Sequence, residues 1–215
     1  VFRDAEFRFC MAVMSGIVVT DCTYLYFSDK FPLWESVYHG FFQTASIITD
    51  NAFVTTGYPA DWPTFVSLLL LLGSFFGGCV GSTCGGIKAI RFLLLYKQSV
   101  REARLLIRPS AQIAVKLGNH PIPDRVMQAV WGFYYLYIFS YCFFSLALAA
   151  TGVDLVTAFG SVAGCLNNMG IGLGETASNF APLNDTATWL LTLSMLVGRL
   201  EVFPLLLIFL PDFWK

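Results

Sequence analysis

Thr55-Thr56-Gly57-Tyr58 follows an uncharged stretch, Ser36 to Thr49, and Asn168-Met169-Gly170-Ile171 sits within a second one, Leu155 to Gly174. A membrane-crossing helix needs about 20 mostly apolar residues. The first stretch is too short for that, and glycine and asparagine interrupt the second. Apolar segments of intermediate length tend to be re-entrant or interfacial. Irregular backbone at membrane depth is tolerated only when buried in protein or lining a watery cavity. The economical reading is a pore loop, in which a half-helix descends and an extended segment returns with its carbonyls turned to an axis. Such a ring of carbonyls replaces the hydration shell of a monovalent cation. Gly57 and Gly170 give access to backbone angles closed to other residues, and Thr55 and Thr56 add hydroxyls. The two glycines are expected at equivalent places.

Outward from these loops lie four longer apolar runs. They extend from about Phe7 to Phe27, Trp62 to Ile87, Val126 to Val153 and Thr186 to Phe213. The order is span, half-span, glycine loop, span, and then the same again. The second copy carries a longer loop between Gly174 and Thr188, and Leu69-Leu70-Leu71-Leu72-Gly73 lines up with Ser194-Met195-Leu196-Val197-Gly198. Repeats in membrane proteins place functional sites at their interface. The expected fold class is therefore an all-α membrane protein of two repeats, each helix, half-helix, filter loop and helix. Residues 1–94 form one repeat, 95–124 a connector, and 125–215 the other.

Composition agrees. Only 13% of the 215 residues are charged and 56% are hydrophobic, against roughly 25% charged in a soluble domain. The formal net charge of −1 gives no basis for nucleic-acid binding. The six cysteines form no CxxC pair, and neither a disulfide framework nor a metal site is expected. Val1-Phe2-Arg3 opens the chain without Met or a signal-peptide pattern, so a piece of a longer chain is expected.

The charges are segregated. Lys97, Arg101, Arg104, Arg108, Lys116 and Arg125 crowd the connector, which the positive-inside rule makes cytoplasmic. Asp29, Glu35, Asp50, Asp61, Asp154, Glu175 and Asp185 fall on the other side, either as a cation-concentrating mouth or as solvated loop charge. Gln98 to Leu117 reads as a short amphipathic helix on the membrane surface or a dock for a cytosolic partner.

Inside the second long run lies Gly77-Gly78-Cys79-Val80-Gly81-Ser82-Thr83-Cys84-Gly85-Gly86. Each helix-interior glycine costs about 1 kcal/mol relative to alanine, so this run is expected to break the helix into a mobile, gating loop. The competing reading is close helix packing through small residues. Arg199 lies midway along the last apolar run, where a charge faces a bundle interior or watery cavity. It can donate to carbonyls of the glycine loop or pair with Glu201. Lys88 either joins this gating set or snorkels.

These residues resemble the Trk/Ktr/HKT superfamily of potassium transporters, most nearly its Trk-type pore subunits, over almost the whole chain. The resemblance rests on Thr55-Thr56-Gly57-Tyr58, Gly81-Ser82-Thr83-Cys84-Gly85-Gly86-Ile87-Lys88, Lys116-Leu117-Gly118, Leu166-Asn167-Asn168-Met169-Gly170 and Gly198-Arg199-Leu200-Glu201. It implies the third and fourth of four membrane-pore-membrane repeats around one pseudo-fourfold pore in a bacterial inner membrane. It implies Gly57 and Gly170 as filter glycines, with K+ at Thr56, Gly57, Asn168 and Met169. Gly77 to Gly86 becomes the gating loop, contacted by Arg199. Homodimers and a cytosolic ring of nucleotide-binding regulatory subunits are also implied, with potassium as substrate, no cofactor and no catalysis. Repeats one and two are not in this sequence, so K/Na selectivity stays open. A cation-coupled symporter is the alternative. An intramembrane enzyme finds no support, since His39 and His120 stand far apart in the sequence with no nucleophile pattern beside them.

Overall fold

The computed structural model describes residues 4–108, 114–117, 120–200 and 214. It is mostly helical. The first copy holds α1 (Ala5–Phe27), α2 (Leu33–Ile48), α3 (Thr64–Ser74) and α4 (Ala89–Ile107). The second holds α5 (Asp124–Ala149), α6 (Leu155–Leu166) and α7 (Asp185–Leu200). Asp4 starts α1 by accepting from the Glu6 amide at 3.1 Å, and Asp154 does the same for Val156 at the start of α6. Both satisfy helix-end donors that would otherwise lack partners. Pro32, Pro63 and Pro123 stand immediately before α2, α3 and α5, where a fixed φ suits helix entry.

Length sorts the helices. α1 has 23 residues and α5 has 26, and both are apolar enough to cross a membrane. At 1.5 Å per residue they reach about 34 and 39 Å. α2 and α6, of 16 and 12 residues, fall short of the roughly 30 Å hydrocarbon core. The run from Trp62 to Ile87 is no continuous span, because α3 stops at Ser74 and a non-helical segment leads to Ala89.

Each copy closes on itself, since α2 packs on α1 and α3, and α6 on α5 and α7. Within the first copy α1 also packs on α4, and the copies join through α4 with α5 and α3 with α6. One core runs across both copies: Leu25, Ile47, Val66 and Leu70 pack with Ala163, Met169, Ile171 and Leu173.

Three expectations need correction. The 94/95 boundary falls inside α4, whose helix continues from Ala89 through to Ile107. The helix expected over Gln98 to Leu117 starts earlier and stops at Ile107. Lys116–Leu117 is instead a strand, β1, paired antiparallel with β2 (His120–Pro121). This small hairpin is the one departure from all-α among the described residues. Buried Val115 packs with Leu94, Met127 and Val130, which draws the hairpin back onto α4 and α5. Gly118, Glu201 and the rest of the fourth apolar run lie outside the described residues.

Candidate ion-conduction site

The ends of the two half-helices are built alike. After α2, the amides of Thr49, Asp50 and Asn51 donate to the carbonyls of Ala45, Ile47 and Ser46 at 3.0 to 3.2 Å. After α6, Asn167, Asn168 and Met169 donate to Ala163, Cys165 and Gly164 at 2.9 to 3.0 Å. One constant shift along the chain relates all three pairs. The backbone angles follow the same shift: Asp50 (φ 53°) matches Asn168 (φ 58°), and Ala52 (φ 57°) matches Gly170 (φ 85°). Left-handed residues alternating with ordinary ones turn successive carbonyls toward the same side.

The counterpart of Gly170 is therefore Ala52, and the expected equivalence of Gly57 with Gly170 does not hold. Hydrogen bonding points the same way. The Thr55 carbonyl accepts from the Tyr58 amide at 3.3 Å, that of Thr56 from the Trp62 indole at 3.2 Å, and that of Gly57 from the Asp61 amide at 3.0 Å. The K+ ligands expected at Thr56 and Gly57 are thus occupied within the chain. Residues 51–54 and 168–172, by contrast, offer backbone carbonyls that accept no hydrogen bond among the described residues. Asn168, Met169, Gly170 and Ile171 all fall in the second segment.

Thr55-Thr56-Gly57-Tyr58 instead forms a brace behind the first segment. His39 Nδ1 lies 3.1 Å from Thr55 Oγ1, and the Thr55 amide donates to Gln43 Oε1 at 3.4 Å. Tyr58 is buried and meets Trp62 edge-on, with ring centres 5.3 Å apart. Deeper still, Thr44 donates to the fully buried Asp21 at 2.7 Å and ties α2 to α1.

Against the half-helix ends lies the glycine-rich segment between α3 and α4. Its two ends meet: Ile87 N donates to Phe75 O at 3.0 Å, and Ala89 N to Gly78 O at 3.2 Å. Gly77, Gly81 and Gly86 have φ of 58°, 88° and 72°, so the run breaks the helix, as its adjacent glycines led us to expect. At Gly85 no side chain fits, because a Cβ would collide with the main chain of Asn167.

Three side chains and the main chain of Asn167 hold this loop from outside. Glu6 of α1 accepts from Val80 N at 2.6 Å, and Asp50 accepts from Gly85 N at 2.6 Å. Arg199 of α7 donates to Thr83 O at 2.6 Å. Asn167 lies against Gly85, donates to Ser74 Oγ at 2.6 Å and accepts from the buried Tyr137 hydroxyl. From within the loop, Lys88 turns back to the carbonyls of Ser82 and Cys84, so it does not snorkel. Ser82, Thr83, Gly85, Gly86, Lys88 and Arg199 share a cavity of about 180 Å³.

Sequence reasoning missed Glu6 and Asp50. Asp50 is expected on the non-cytoplasmic side, in a cation-concentrating mouth or as solvated loop charge, but the half-helix end delivers it to the loop. Its place two residues beyond the end of a half-helix was the available signal. For Glu6, distant in sequence from Val80, there was none. Among the described residues no group of three or more His, Cys, Asp or Glu could hold a metal ion.

A family model described as TrkH, cation transport protein, matches residues 11–215. The chain belongs to the TrkH family. Across its full length it is 44% identical to the Trk system potassium uptake protein TrkG of Escherichia coli K12 and 46% identical to the TrkH protein of Salmonella typhimurium, covering 44% of each. Among solved structures, the potassium transporter TrkH from Vibrio parahaemolyticus superposes with a TM-score of 0.92 at 44% identity, over all of this chain and 46% of that one. The chain thus spans less than half the length of these TrkH-family relatives.

Proposed function

We propose that this chain forms half of a potassium-conducting membrane pore, with residues 51–53 and 168–172 as two of its filter strands and the Gly77–Lys88 segment as its gate. The unpaired carbonyls behind two matching half-helices carry this reading. Main-chain oxygens without internal partners are what a dehydrating monovalent cation needs. The printed names of the relatives supply the ion, potassium. The missing half of the pseudo-fourfold ring would come from sequence beyond this chain.

The gate reading rests on the clamp. A loop held by Glu6, Asp50 and Arg199 lies against the inner ends of both strands, and releasing it would open the path below them. Arg199 adds a positive charge there, an electrostatic barrier to cations. A bacterial inner-membrane setting, a homodimer and a cytosolic nucleotide-binding regulatory subunit belong to the same reading, supported by family membership and the basic connector.

In the full-length protein, replacing Ala52 or Gly170 with valine should reduce K/Na discrimination in a potassium-uptake assay. Gly57→Ala should spare discrimination for whatever protein still folds. Intact discrimination in folded Ala52→Val and Gly170→Val would reject the filter assignment. A symporter would require a coupled ion gradient, so potassium flux in liposomes driven by potential alone separates the two mechanisms.

A further inference from the structure

The strongest unassigned site lies at the far end of α4. The β1–β2 hairpin folds back on this helix, and between them is a cavity of about 300 Å³. Lys97, Arg101 and Arg104 line it from α4 and Lys116 from the hairpin, with no acidic residue in its wall. Lys97, Arg101 and Arg104 share one face because residues three and four apart are helix neighbours.

Most of this charge is not spent on protein partners. Arg101 meets Asp124 at 3.2 Å through Nη1, yet its Nε is buried without a partner. Lys97 donates to the Lys116 carbonyl at 2.6 Å, which leaves its charge uncompensated. Glu102 is engaged by Gln98 at 2.6 Å rather than by the cations. Four positive charges around an empty space suit a phosphate, which accepts from several donors at once.

The surroundings choose the source of that phosphate. α4 begins with buried Ala89, Leu93 and Leu94 and then reaches Tyr96, 63% exposed, beside Lys97. An aromatic next to basic residues marks the headgroup level of a membrane. Further along the helix Leu106 and Ile107 are 85% and 80% exposed, as expected of a helix lying at the acyl boundary. Basic pockets on the cytoplasmic side of membrane helices recognise anionic lipid headgroups.

We propose that the Lys97–Arg101–Arg104–Lys116 cavity binds the headgroup of an anionic phospholipid. The inference rests on the membrane orientation of α4 and is independent of the filter assignment. Since α4 starts directly after Lys88, the lipid would hold one end of the helix whose other end is tied to the glycine loop.

The test is native mass spectrometry of the full-length protein titrated with phosphatidylglycerol or with phosphatidylcholine of the same chains. The first phosphatidylglycerol should bind more tightly than phosphatidylcholine. Lys97→Gln with Arg104→Gln should weaken it about tenfold or more, at roughly 1 kcal/mol per basic residue near the headgroups. Arg125→Gln, an equal loss of charge outside the cavity, should leave it unchanged. Arg104→Gln alone guards against a folding defect, because this side chain lines the cavity and is exposed, and it should still weaken binding. Wild-type affinity in both cavity variants, or an equal loss in Arg125→Gln, would overturn the proposal. So would displacement of the lipid by equimolar glycerol phosphate, which would assign the cavity to a soluble phosphate.

Discussion

Ala52 holds a φ of 57° at the position where the second copy uses Gly170, at 85°. A left-handed angle costs a residue with a Cβ roughly 1–2 kcal/mol, and Asp50 and Asn168 are among the few types that tolerate it. This alanine explains why the first proposed filter segment was hard to read. A search for glycine finds Gly57, five residues further on, in a turn whose carbonyls are already paired. The hydrogen bonds and backbone angles at the half-helix ends give the register. The asymmetry yields a prediction. Ala52→Gly should not lower the melting temperature of the intact protein, because relief of the left-handed angle offsets the entropy glycine adds to the unfolded chain. Gly170→Ala should destabilise by about 1–2 kcal/mol. Equal losses in thermal melts of the two variants would contradict the match.

At the scale of elements, the half-helices were legible because they are uncharged and short. The break after α3 was legible because five glycines crowd ten residues. The connector was not, because helix continuation past Leu95 and the turn into β1 depend on Val115 docking against Leu94 and Met127, a contact no local pattern encodes. The clamp on the glycine loop was half visible: Arg199 stood out as a charge in an apolar run, while Asp50 read as one of several acids on the other side and Glu6 carried no signal. A charge-assisted hydrogen bond is worth about 1.5–3 kcal/mol. If Arg199 holds the loop shut, Arg199→Ala should raise the open-to-closed ratio about tenfold or more, read as single-channel open probability in the full-length protein. Glu6→Ala removes the acceptor for Val80 N and should shift the same ratio in the same direction. Unchanged open probability in both variants would detach the loop from gating.

Across the whole molecule, Asn167 links the second copy to α3 and the glycine loop of the first. It is fully buried, bonded to Tyr137 of α5 and Ser74 of α3, and pressed against Gly85 of the loop. Tyr137→Phe would leave the Asn167 side-chain oxygen without its donor and should cost about 1–3 kcal/mol in the unfolding free energy. Its effect on open probability should be non-additive with Arg199→Ala, because both act on one loop. Strict additivity would show that the network is structural only. The repeat itself was visible in the order of apolar runs, but this cross-link was not, since it joins residues far apart in sequence through side chains of ordinary type.

On this proposal, two short segments, each beginning just past a half-helix, present bare carbonyls to a passing cation. Anomalous diffraction from rubidium-soaked crystals of the full-length protein tests it most directly. Ion density should lie beside the carbonyls of residues 51–53 and 168–172. Density at Thr56 and Gly57 instead, or none beside either segment, would overturn the filter assignment.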